Sequence, residues 1–272
     1  QWRHSPILLN QTKTIINSIA PNVLHTHASK MTSIVNKFKD LNLHVSTIHG
    51  TKKDVSPFEK TDFIFGASKK SLEKISSSNS MVLENWVDES RFSSYSKSES
   101  EYFLYLGRFE PVKNPKRLIN AWKDMNHKLI MVGEGALKGE MQNLIKDLNL
   151  SNQISLKSET NNIAELFSKA KALIIPSNRE GSPKVLFESL FCNVPVLSTR
   201  CGIMSDILPP TSLAEIDDEN FKNLLSQWVD NIDELKTMQE VCFKKVKQEN
   251  LLSIQAEKVN KVYQDLFSKV SK

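Results

Sequence analysis

Two glutamates, Glu180 and Glu188, are separated by seven residues that begin with a Gly-Ser-Pro turn and continue as an apolar run. The apolar segment 172–177 before them predicts a strand, so Glu180 lies past the carboxyl end of that strand. Ser182 suits the cap of the next helix and Pro183 its first turn, which places Glu188 about a turn and a half inside. Two such carboxylates can accept hydrogen bonds from the hydroxyl groups of a sugar or ribose. The spacing alone slightly favours a plainer interpretation, two solvated surface acids.

A second group of residues suits a different part of a ligand. Gly107 and Arg108 follow the strand-like segment 103–107, and Lys113 comes five residues later. Glycine allows the backbone to approach a ligand closely, arginine can grip a phosphate with two hydrogen bonds, and lysine adds a movable charge. Together they suit a diphosphate whose leaving charge must be neutralised. Alone, such a pair is more often surface charge, and the nearby VGEG turn (132–135) is weak evidence by itself.

The elements that must position these residues alternate between strand-like and helix-like patterns in two series. The first series has strands at 23–25, 44–48, 62–68 and 81–85, with helices at 29–42 and 68–76. The second has strands at 103–107, 128–133, 153–156, 172–177 and 195–199, with helices at 114–125, 136–150 and 161–170, and a helical stretch from Glu219 onward. Asn114 suits the cap of the helix at 114–125, and Pro115 suits its first turn. Such alternation predicts parallel sheets covered by helices.

The serine-rich segment 93–101 divides the two series and predicts a linker. We therefore expect two doubly wound α/β domains, residues 1–96 and 97–252, followed by a terminal helix at 253–272. Ligands bind outside the carboxyl ends of the strands in such sheets, and a cleft between two domains is the natural site.

The composition of the 272 residues, with 39% hydrophobic and 25% charged residues, suits a soluble globular protein. No apolar run reaches the roughly 20 residues that span a bilayer. Three irregularly spaced cysteines and no secretion signal favour a cytoplasmic protein. The chain begins at Gln1, as expected of a fragment or a processed chain.

The net charge of +5 is concentrated in residues 1–96, which hold 12 Lys/Arg against 8 Asp/Glu. A basic half of this kind suits an anionic membrane face or an acidic substrate, and scattered solvated lysines explain it equally well. No arginine-rich run or aromatic ladder points to a nucleic acid.

Three segments resemble one known family. LGRFEPVKN, VGEGALKGEMQNLI and IIPSNREGSPKVLFESLFCNVPVLSTRCG occur in the order and spacing of the family-4 retaining glycosyltransferases (glycosyl transferases group 1). The pair Glu180 and Glu188 is similar to the Glu-x7-Glu motif of that family, and the resemblance is dense over residues 101–208. It implies a GT-B fold, in which two Rossmann-like domains face a cleft.

The resemblance also implies roles for residues of the second domain. Arg108 and Lys113, with Gly107, would hold the diphosphate of a sugar nucleotide, and Glu188 would bind the ribose hydroxyls. Glu180 would contact the donor sugar as a catalytic residue. The donor would also lie beside Gly181, Ser182, Pro183 and Lys184. The base would lie against residues 153–163.

The first domain matches the family less fully. The resemblance makes His49 a catalytic candidate near the donor sugar and the acceptor, and His25 and His27 candidates on the acceptor side. For His27 a purely structural role is an almost equal alternative. About 20 residues precede this part, without the glycine-rich loop usual in the family, so we expect a shortened first domain whose pocket lacks one wall. Segment 153–158 also lacks the usual glycine.

The resemblance implies an enzyme that moves a sugar, with retention, from a nucleotide to a hydroxyl acceptor. UDP-sugars are the expected donors and GDP-mannose the second choice, without a metal or other cofactor. The expected acceptor is a surface-polysaccharide or lipid-linked precursor at the inner face of the membrane, and no nucleic acid is expected. An inactive or partner-dependent nucleotide-sugar-binding fragment stays open as the alternative. A sugar-nucleotide epimerase is disfavoured by the two glutamates.

Overall fold

The computed structural model describes residues 5–38, 43–93 and 95–270. Its strands are β1 Leu24–His27, β2 His44–Ile48, β3 Phe63–Gly66, β4 Ser80–Val82, β5 Tyr102–Leu106, β6 Leu129–Val132, β7 Ile154–Lys157, β8 Ala170–Ile175, β9 Val196–Thr199 and β10 Leu213–Ala214. Its helices are α1 Pro6–Ile19, α2 Ala28–Val35, α3 Lys69–Leu72, α4 Pro115–Trp122, α5 Lys138–Asp147, α6 Ile163–Ser168, α7 Lys184–Phe191, α8 Met204–Ile207, α9 Asp218–Trp228, α10 Ile232–Met238, α11 Glu240–Glu249 and α12 Leu252–Val270. Two 3-10 helices lie at Glu89–Phe92 and Pro210–Ser212.

The chain forms two compact units. The first unit contains residues up to Glu84 together with those from Ser253 onward, and the second contains Asn85–Leu252. The division therefore lies at residues 84 and 85, whereas the sequence suggested 96 and 97. The stretch in between belongs to the second unit because Phe92 is buried in its core and the Tyr95 hydroxyl donates to the Cys192 carbonyl at 2.6 Å.

The expected linker at 93–101 is also tied to the second unit. The Lys97 ammonium donates to the Ala170 carbonyl at 2.7 Å, and the Glu101 backbone N–H donates to the Lys169 carbonyl at 2.8 Å. Ser94 lies outside the described residues. A serine-rich composition thus did not make this segment a free connector, because its backbone finds partners beside β8.

The first unit is built on a parallel sheet with the strand order β1-β2-β3-β4. One face packs Val45 and Phe65 against α12, which contributes Leu266 and the partly buried Tyr263. The opposite face buries Ile48, Phe58 and Ile64. All five residues of β2 are buried, because both faces of this central strand are covered.

Some boundaries in the first unit differ from the sequence-based expectations. The helix expected at 29–42 is α2, which ends at Val35, and residues 39–42 lie outside the described part of the chain. Helix α1 was not predicted. Residues 1–4, 271 and 272 of the expected domains also lie outside the described residues.

The second unit is built on a six-stranded parallel sheet with the order β10-β9-β8-β5-β6-β7. Apolar clusters fill both faces: Leu104, Leu173 and Phe187 lie in one, and Phe103, Ile174 and Trp122 in the other. Neighbouring residues of β5 and β8 alternate between the two clusters, as expected for strands covered by helices on both sides. Among the described helices of both units, none combines the length and the apolarity needed to cross a membrane.

Candidate functional site

The site residues of the second unit follow the two central strands, β5 and β8. These strands are neighbours, but the chain continues from β5 towards β6 and β7 on one side and from β8 towards β9 and β10 on the other. A crevice forms outside the carboxyl ends of strands where the order reverses in this way. The loop after β5 carries Gly107, Arg108 and Lys113, and the loop after β8 carries Glu180. The topology therefore brings together two motifs that are about 70 residues apart in the chain.

Glu180 is held by a close ion pair. The Lys113 ammonium donates to both carboxylate oxygens of Glu180, at 2.8 and 2.6 Å, and the Ser177 hydroxyl donates to Oε1 at 2.6 Å. The Glu180 side chain is only 6% exposed and that of Lys113 is 22% exposed. The resemblance places these two residues on different parts of the donor, whereas the structure brings them into direct contact.

Lys113 and its loop are positioned by a helix cap, as the sequence predicted. Asn114 caps α4 by accepting a hydrogen bond from the Arg117 backbone N–H, and Pro115 opens the helix. Arg117 is buried and donates to the Pro176 carbonyl at 3.1 Å, which joins the start of α4 to the end of β8. This contact fixes the two loops that carry Lys113 and Glu180 relative to each other.

Glu188 lies inside α7, four residues after the helix begins at Lys184, and its side chain is 8% exposed. Burial raises the pKa of its carboxyl group, while the charges of Arg91 and Lys184 act in the opposite direction. Arg91 is also in contact with it, with Nη1 3.4 Å from Oε1. Arg91 is not among the site residues expected from the sequence. The available signal was its place in the segment MVLENWVDESRF, which resembles a family segment.

Two adjoining cavities lie at these strand ends. The larger, 490 Å³, is lined by Arg91 and Glu188, and the smaller, 210 Å³, by Lys113 and Glu180. Both are lined by Leu106, Gly107, Arg108 and Val185. Each acid of the Glu-x7-Glu pair therefore belongs to one cavity, and Gly107 and Arg108 lie where the two meet.

Arg108 keeps its guanidinium group available at this junction. Its side chain is 61% exposed and pairs with Glu110 at 2.6 Å. The Tyr105 hydroxyl donates to the Arg108 carbonyl at 2.8 Å and fixes the backbone. An exposed arginine on a fixed backbone can exchange a weak surface ion pair for a phosphate.

The predicted cap at Ser182 is wrong. Helix α7 begins at Lys184 with Pro183 as its N-cap, and no side chain caps it. The hydroxyl and the carbonyl of Ser182 instead accept hydrogen bonds from the backbone and side-chain N–H groups of Asn85. Pro183 and Lys184 line the smaller cavity, whereas Gly181 and Ser182 are not among its lining residues. Ser182 bonds to Asn85 rather than capping α7, because the segment after residue 84 packs against this turn.

Two glycines allow backbone segments to pack directly under the site. Gly133 has a φ of +155°, and a Cβ atom there would lie 2.0 Å from the Gly107 carbonyl oxygen. Gly202 has a φ of +58°, and a Cβ atom there would lie 2.5 Å from the Gly181 carbonyl oxygen. Only glycine tolerates both the backbone conformation and the approach. In the sequence the VGEG turn is weak evidence by itself, and nothing there singles out Gly202, since its role depends on a tertiary contact.

The histidine candidates of the first unit form a cluster of their own. His27 Nδ1 lies 3.0 Å from His49 Nε2, and the His27 ring stacks on that of His25 with centroids 4.6 Å apart. His25 is held by hydrogen-bonding contacts with Thr47 at 2.7 Å and Tyr263 at 2.5 Å. Burial lowers the pKa of all three, that of His25 to about 4. The structure thus brings these histidines together, and their catalytic and acceptor-side roles stay predictions.

No group of three or more His, Cys, Asp or Glu side chains is arranged to hold a metal ion in the part of the chain that the structure describes. The three cysteines, Cys192, Cys201 and Cys242, are free and buried.

Comparison with known proteins decides the family. The family model described as Glycosyl transferases group 1 matches residues 87–242, which is more than half of the chain. The chain belongs to the glycosyl transferases group 1 family. The matched region contains Gly107, Arg108, Lys113, Glu180 and Glu188, so the cavities described above lie within the part that defines this family.

Relatives of this group 1 chain include glycosyltransferases of bacteria and archaea. It is 30% identical over 203 residues to N-acetylgalactosamine-N,N'-diacetylbacillosaminyl-diphospho-undecaprenol 4-alpha-N-acetylgalactosaminyltransferase of Campylobacter jejuni, covering 70% of this chain and 52% of that protein. It is 25% identical over 215 residues to an uncharacterised glycosyltransferase of Methanocaldococcus jannaschii, covering 72% of this chain and 61% of the relative. The chain therefore spans between half and two thirds of the length of these relatives.

Solved structures show the same fold. Sucrose-phosphate synthase from Thermosynechococcus elongatus matches 97% of this chain and 78% of its own, with a TM-score of 0.84 and 16% identity. Anabaena HepE, solved in complex with UDP, matches 95% of this chain and 82% of its own, with a TM-score of 0.82 and 13% identity. These glycosyltransferases have the GT-B fold, and the expected fold class, with its two parallel α/β sheets, is confirmed.

Proposed function

We propose that this group 1 chain is a retaining glycosyltransferase that moves a sugar from a nucleoside diphosphate sugar, with UDP favoured, to a hydroxyl group of a glycan or glycolipid precursor. The observation that carries the proposal is the pair of adjoining cavities where the strand order reverses between β5 and β8. Each cavity holds one acid of the Glu-x7-Glu pair, and Arg108 lies at their junction. The family match over residues 87–242 supports the same function.

The donor would extend across both cavities. Glu188 would accept hydrogen bonds from the ribose hydroxyls in the larger cavity, and Glu180 would accept them from the donor sugar in the smaller one. Arg108 and Lys113 would hold the diphosphate where the cavities meet, beside the close backbone of Gly107. The backbone of residues 181–184 and the first turn of α7 would lie along the same ligand, since free N–H groups at a helix start favour negative oxygen atoms.

In the reaction, the bond between the sugar C1 atom and the diphosphate oxygen breaks, and a bond from C1 to the acceptor oxygen forms on the same face. The acceptor hydroxyl proton passes to the leaving diphosphate, so atoms and charge balance. Arg108 and Lys113 would stabilise the negative charge that develops on the diphosphate. With these two cations present, we propose that no metal or other cofactor takes part. His49 would act near the donor sugar and acceptor, and His25 and His27 on the acceptor side.

Two relatives support a proposal for the class of acceptor. The Campylobacter jejuni relative is named for transfer to an undecaprenol-linked glycan, and another relative is the O-antigen chain mannosyltransferase of Salmonella typhimurium. We propose a lipid-linked or surface-polysaccharide precursor for this chain as well. The excess of lysine in residues 1–96 would favour contact with the anionic inner face of a membrane.

Thermal unfolding with UDP, with GDP and without ligand tests the donor site. A nucleotide at about 100 times its dissociation constant adds roughly 2.7 kcal/mol of stability. We expect a shift with UDP that disappears in Glu188→Ala and persists in Glu234→Ala, which removes an exposed acid from the start of α10. Absence of a shift with both nucleotides would contradict the proposal, and a shift with GDP alone would change the base.

The alternative is a nucleotide-sugar-binding chain that needs a partner for turnover. Release of UDP from a UDP-sugar, measured with and without a glycan acceptor, separates the two functions. Binding of UDP without any release would support the alternative, and release that depends on the acceptor would support the transferase.

A further inference from the structure

Arg91 has no role in the function proposed so far, yet it lies in the cavity assigned to the ribose. Its Nη1 atom is 3.4 Å from the Oε1 atom of Glu188, and both side chains line the 490 Å³ cavity. The Arg91 side chain is 42% exposed, whereas that of Glu188 is 8% exposed. A partly exposed arginine thus reaches inward to a buried acid.

The backbone of Arg91 is fixed on both sides. Asp88 caps the 3-10 helix Glu89–Phe92 by accepting hydrogen bonds from the backbone N–H of Ser90 at 3.1 Å and from its hydroxyl at 2.6 Å. The next residue, Phe92, is buried and packs on Phe191 with ring centroids 5.6 Å apart. Phe191 belongs to α7, the helix that carries Glu188. Two contacts, one apolar and one ionic, therefore set this segment against α7.

Lys184, a further cation near Glu188, is held by a different contact. Lys184 lies one turn earlier on α7, and its ammonium group is placed over the Trp86 ring, 4.8 Å from the centroid. The positive charge of Lys184 lowers the pKa of Glu188, and the charge of Arg91 lowers it more. Within the described residues, the ion pair that Glu188 forms is with Arg91.

We propose that Arg91 is a positioning residue that holds the Glu188 carboxylate in one orientation and in its charged form, ready for the ribose hydroxyls. The inference rests on the proposed function, because it takes Glu188 to be the ribose-binding group. Without Arg91 the buried Glu188 carboxylate loses the positive charge that is in contact with it. It then rotates more freely and accepts a proton at a higher pH.

The first test compares UDP with 2′-deoxy-UDP by calorimetry, because their affinity ratio reports the hydrogen bond to the ribose. We expect the parent chain to prefer UDP by about tenfold, as a single hydrogen bond to a charged acceptor contributes roughly 1.5 kcal/mol. Arg91→Gln lowers this ratio to about twofold, and Arg91→Lys restores part of it. A purely structural role for Arg91 would weaken both nucleotides equally.

The second test repeats the UDP titration at pH 8 and pH 5.5. As the pH falls, a carboxyl group with a raised pKa loses its charge, and it does so earlier without Arg91. We therefore expect the Arg91→Gln variant to lose about fivefold more affinity than the parent between these pH values, the size typical of one ion pair. Arg200→Gln is the matched control, because Arg200 also pairs with a glutamate, Glu215, and is 38% exposed. It should behave like the parent.

A third measurement, the Glu188 carboxyl pKa by carbon NMR in the ligand-free chain, separates this inference from the proposed function. A higher pKa in Arg91→Gln than in the parent supports the inference even if the parent binds neither nucleotide, a result that would end the proposed function. Equal pKa values, or an unchanged UDP preference in a variant that binds, would overturn the inference and leave the proposed function standing. If Arg91→Gln does not fold, Arg91→Met, which also removes the charge, carries the same comparisons.

Discussion

The two units share a parallel β/α architecture but fill their interiors differently. In the second unit, large apolar clusters cover both faces of the sheet. In the first unit the central strand β2 buries His44, Ser46 and Thr47 beside its apolar residues. The Thr26 hydroxyl bonds to His44 at 2.8 Å, and the Ser46 hydroxyl bonds to Thr61 at 2.8 Å. The first unit thus combines paired polar side chains on its central strand with two small apolar clusters, whereas the second has larger apolar clusters.

The glycines follow the same division. The glycines with a positive φ, Gly133, Gly135 and Gly202, lie in the second unit around the candidate donor site. Histidines, in contrast, are concentrated in the first part of the chain, where five of the six in the sequence fall within the first 49 residues. We infer from this difference that the candidate donor site is built on closely packed loops, whereas the first unit carries histidines whose pKa values are lowered by burial.

The largest expected effect is on the packing under the site. Gly133→Ala should destabilise the second unit by about 3 kcal/mol, because a Cβ atom would meet the Gly107 carbonyl in a backbone conformation that disfavours side chains. Urea unfolding followed by tryptophan fluorescence measures it, since Trp86, Trp122 and Trp228 belong to the second unit. Gly139→Ala is the control, with open space on α5 and an expected gain of about 0.5–1 kcal/mol. Equal effects would refute the close-packed scaffold.

The next effect separates a buried ion pair from an exposed one. Lys113→Met leaves the Glu180 carboxylate buried without its counter-charge and should cost about 2 kcal/mol of stability. We also expect sugar transfer to fall by about a hundredfold, because a charge on the leaving diphosphate is no longer neutralised. Lys116→Met, which breaks an exposed pair with Glu140, should stay within about 0.5 kcal/mol of the parent. Similar losses in both variants would contradict the site geometry.

A third prediction uses pH to distinguish the units. Burial lowers the pKa of His25 and of His44 from 6.5 to about 4. Because the unfolded chain takes up these protons first, the first unit keeps this stability above pH 6.5 and loses it as the pH falls towards 4. The raised pKa of Glu188 has the opposite sign and favours the folded second unit as the pH falls.

Hydrogen exchange by mass spectrometry at pH 7 and pH 5 measures this difference, after correction for the intrinsic exchange rates. We expect protection in β1 and β2 to decrease more than protection in β5 and β8. His44→Gln should reduce the difference, and His127→Gln, a change in the second unit, should leave it unchanged. Parallel losses in both units would show that the histidines do not control the first.

The smallest expected effect is that of a helix cap. Ser68 caps α3 in a reciprocal arrangement with Ser71. Ser68→Ala should lower the stability of the first unit by about 1 kcal/mol. Thermal unfolding by circular dichroism measures it, with the exposed Ser78→Ala as the control, expected within about 0.5 kcal/mol of the parent. No difference between the variants would mean that the cap does not limit the stability of this unit.

Much of the second unit could be predicted from local patterns. The residues 172–177, 128–133 and 195–199 are apolar runs that predicted β8, β6 and β9, because buried parallel strands need such runs. Asn114 and Pro115 predicted the start of α4, since a cap and a first-turn proline act locally. Helix α8 and strand β10 were missed, because elements of four and two residues leave no periodic pattern.

The sequence by itself determined the parallel α/β class and the family, because hydrophobic periodicity and the Glu-x7-Glu segment are written in consecutive residues. It also placed Gly107, Arg108, Lys113 and Glu180 after strand ends, and Glu188 inside the helix that follows. Only the tertiary structure decided which cation meets which acid: Lys113 pairs with Glu180, and Arg91 with Glu188. It also decided that Asn85 takes the hydrogen bonds of Ser182. These pairings join residues that are 67 to 97 positions apart in the chain. The partners come into contact only because the order of the strands in the sheet brings their loops together.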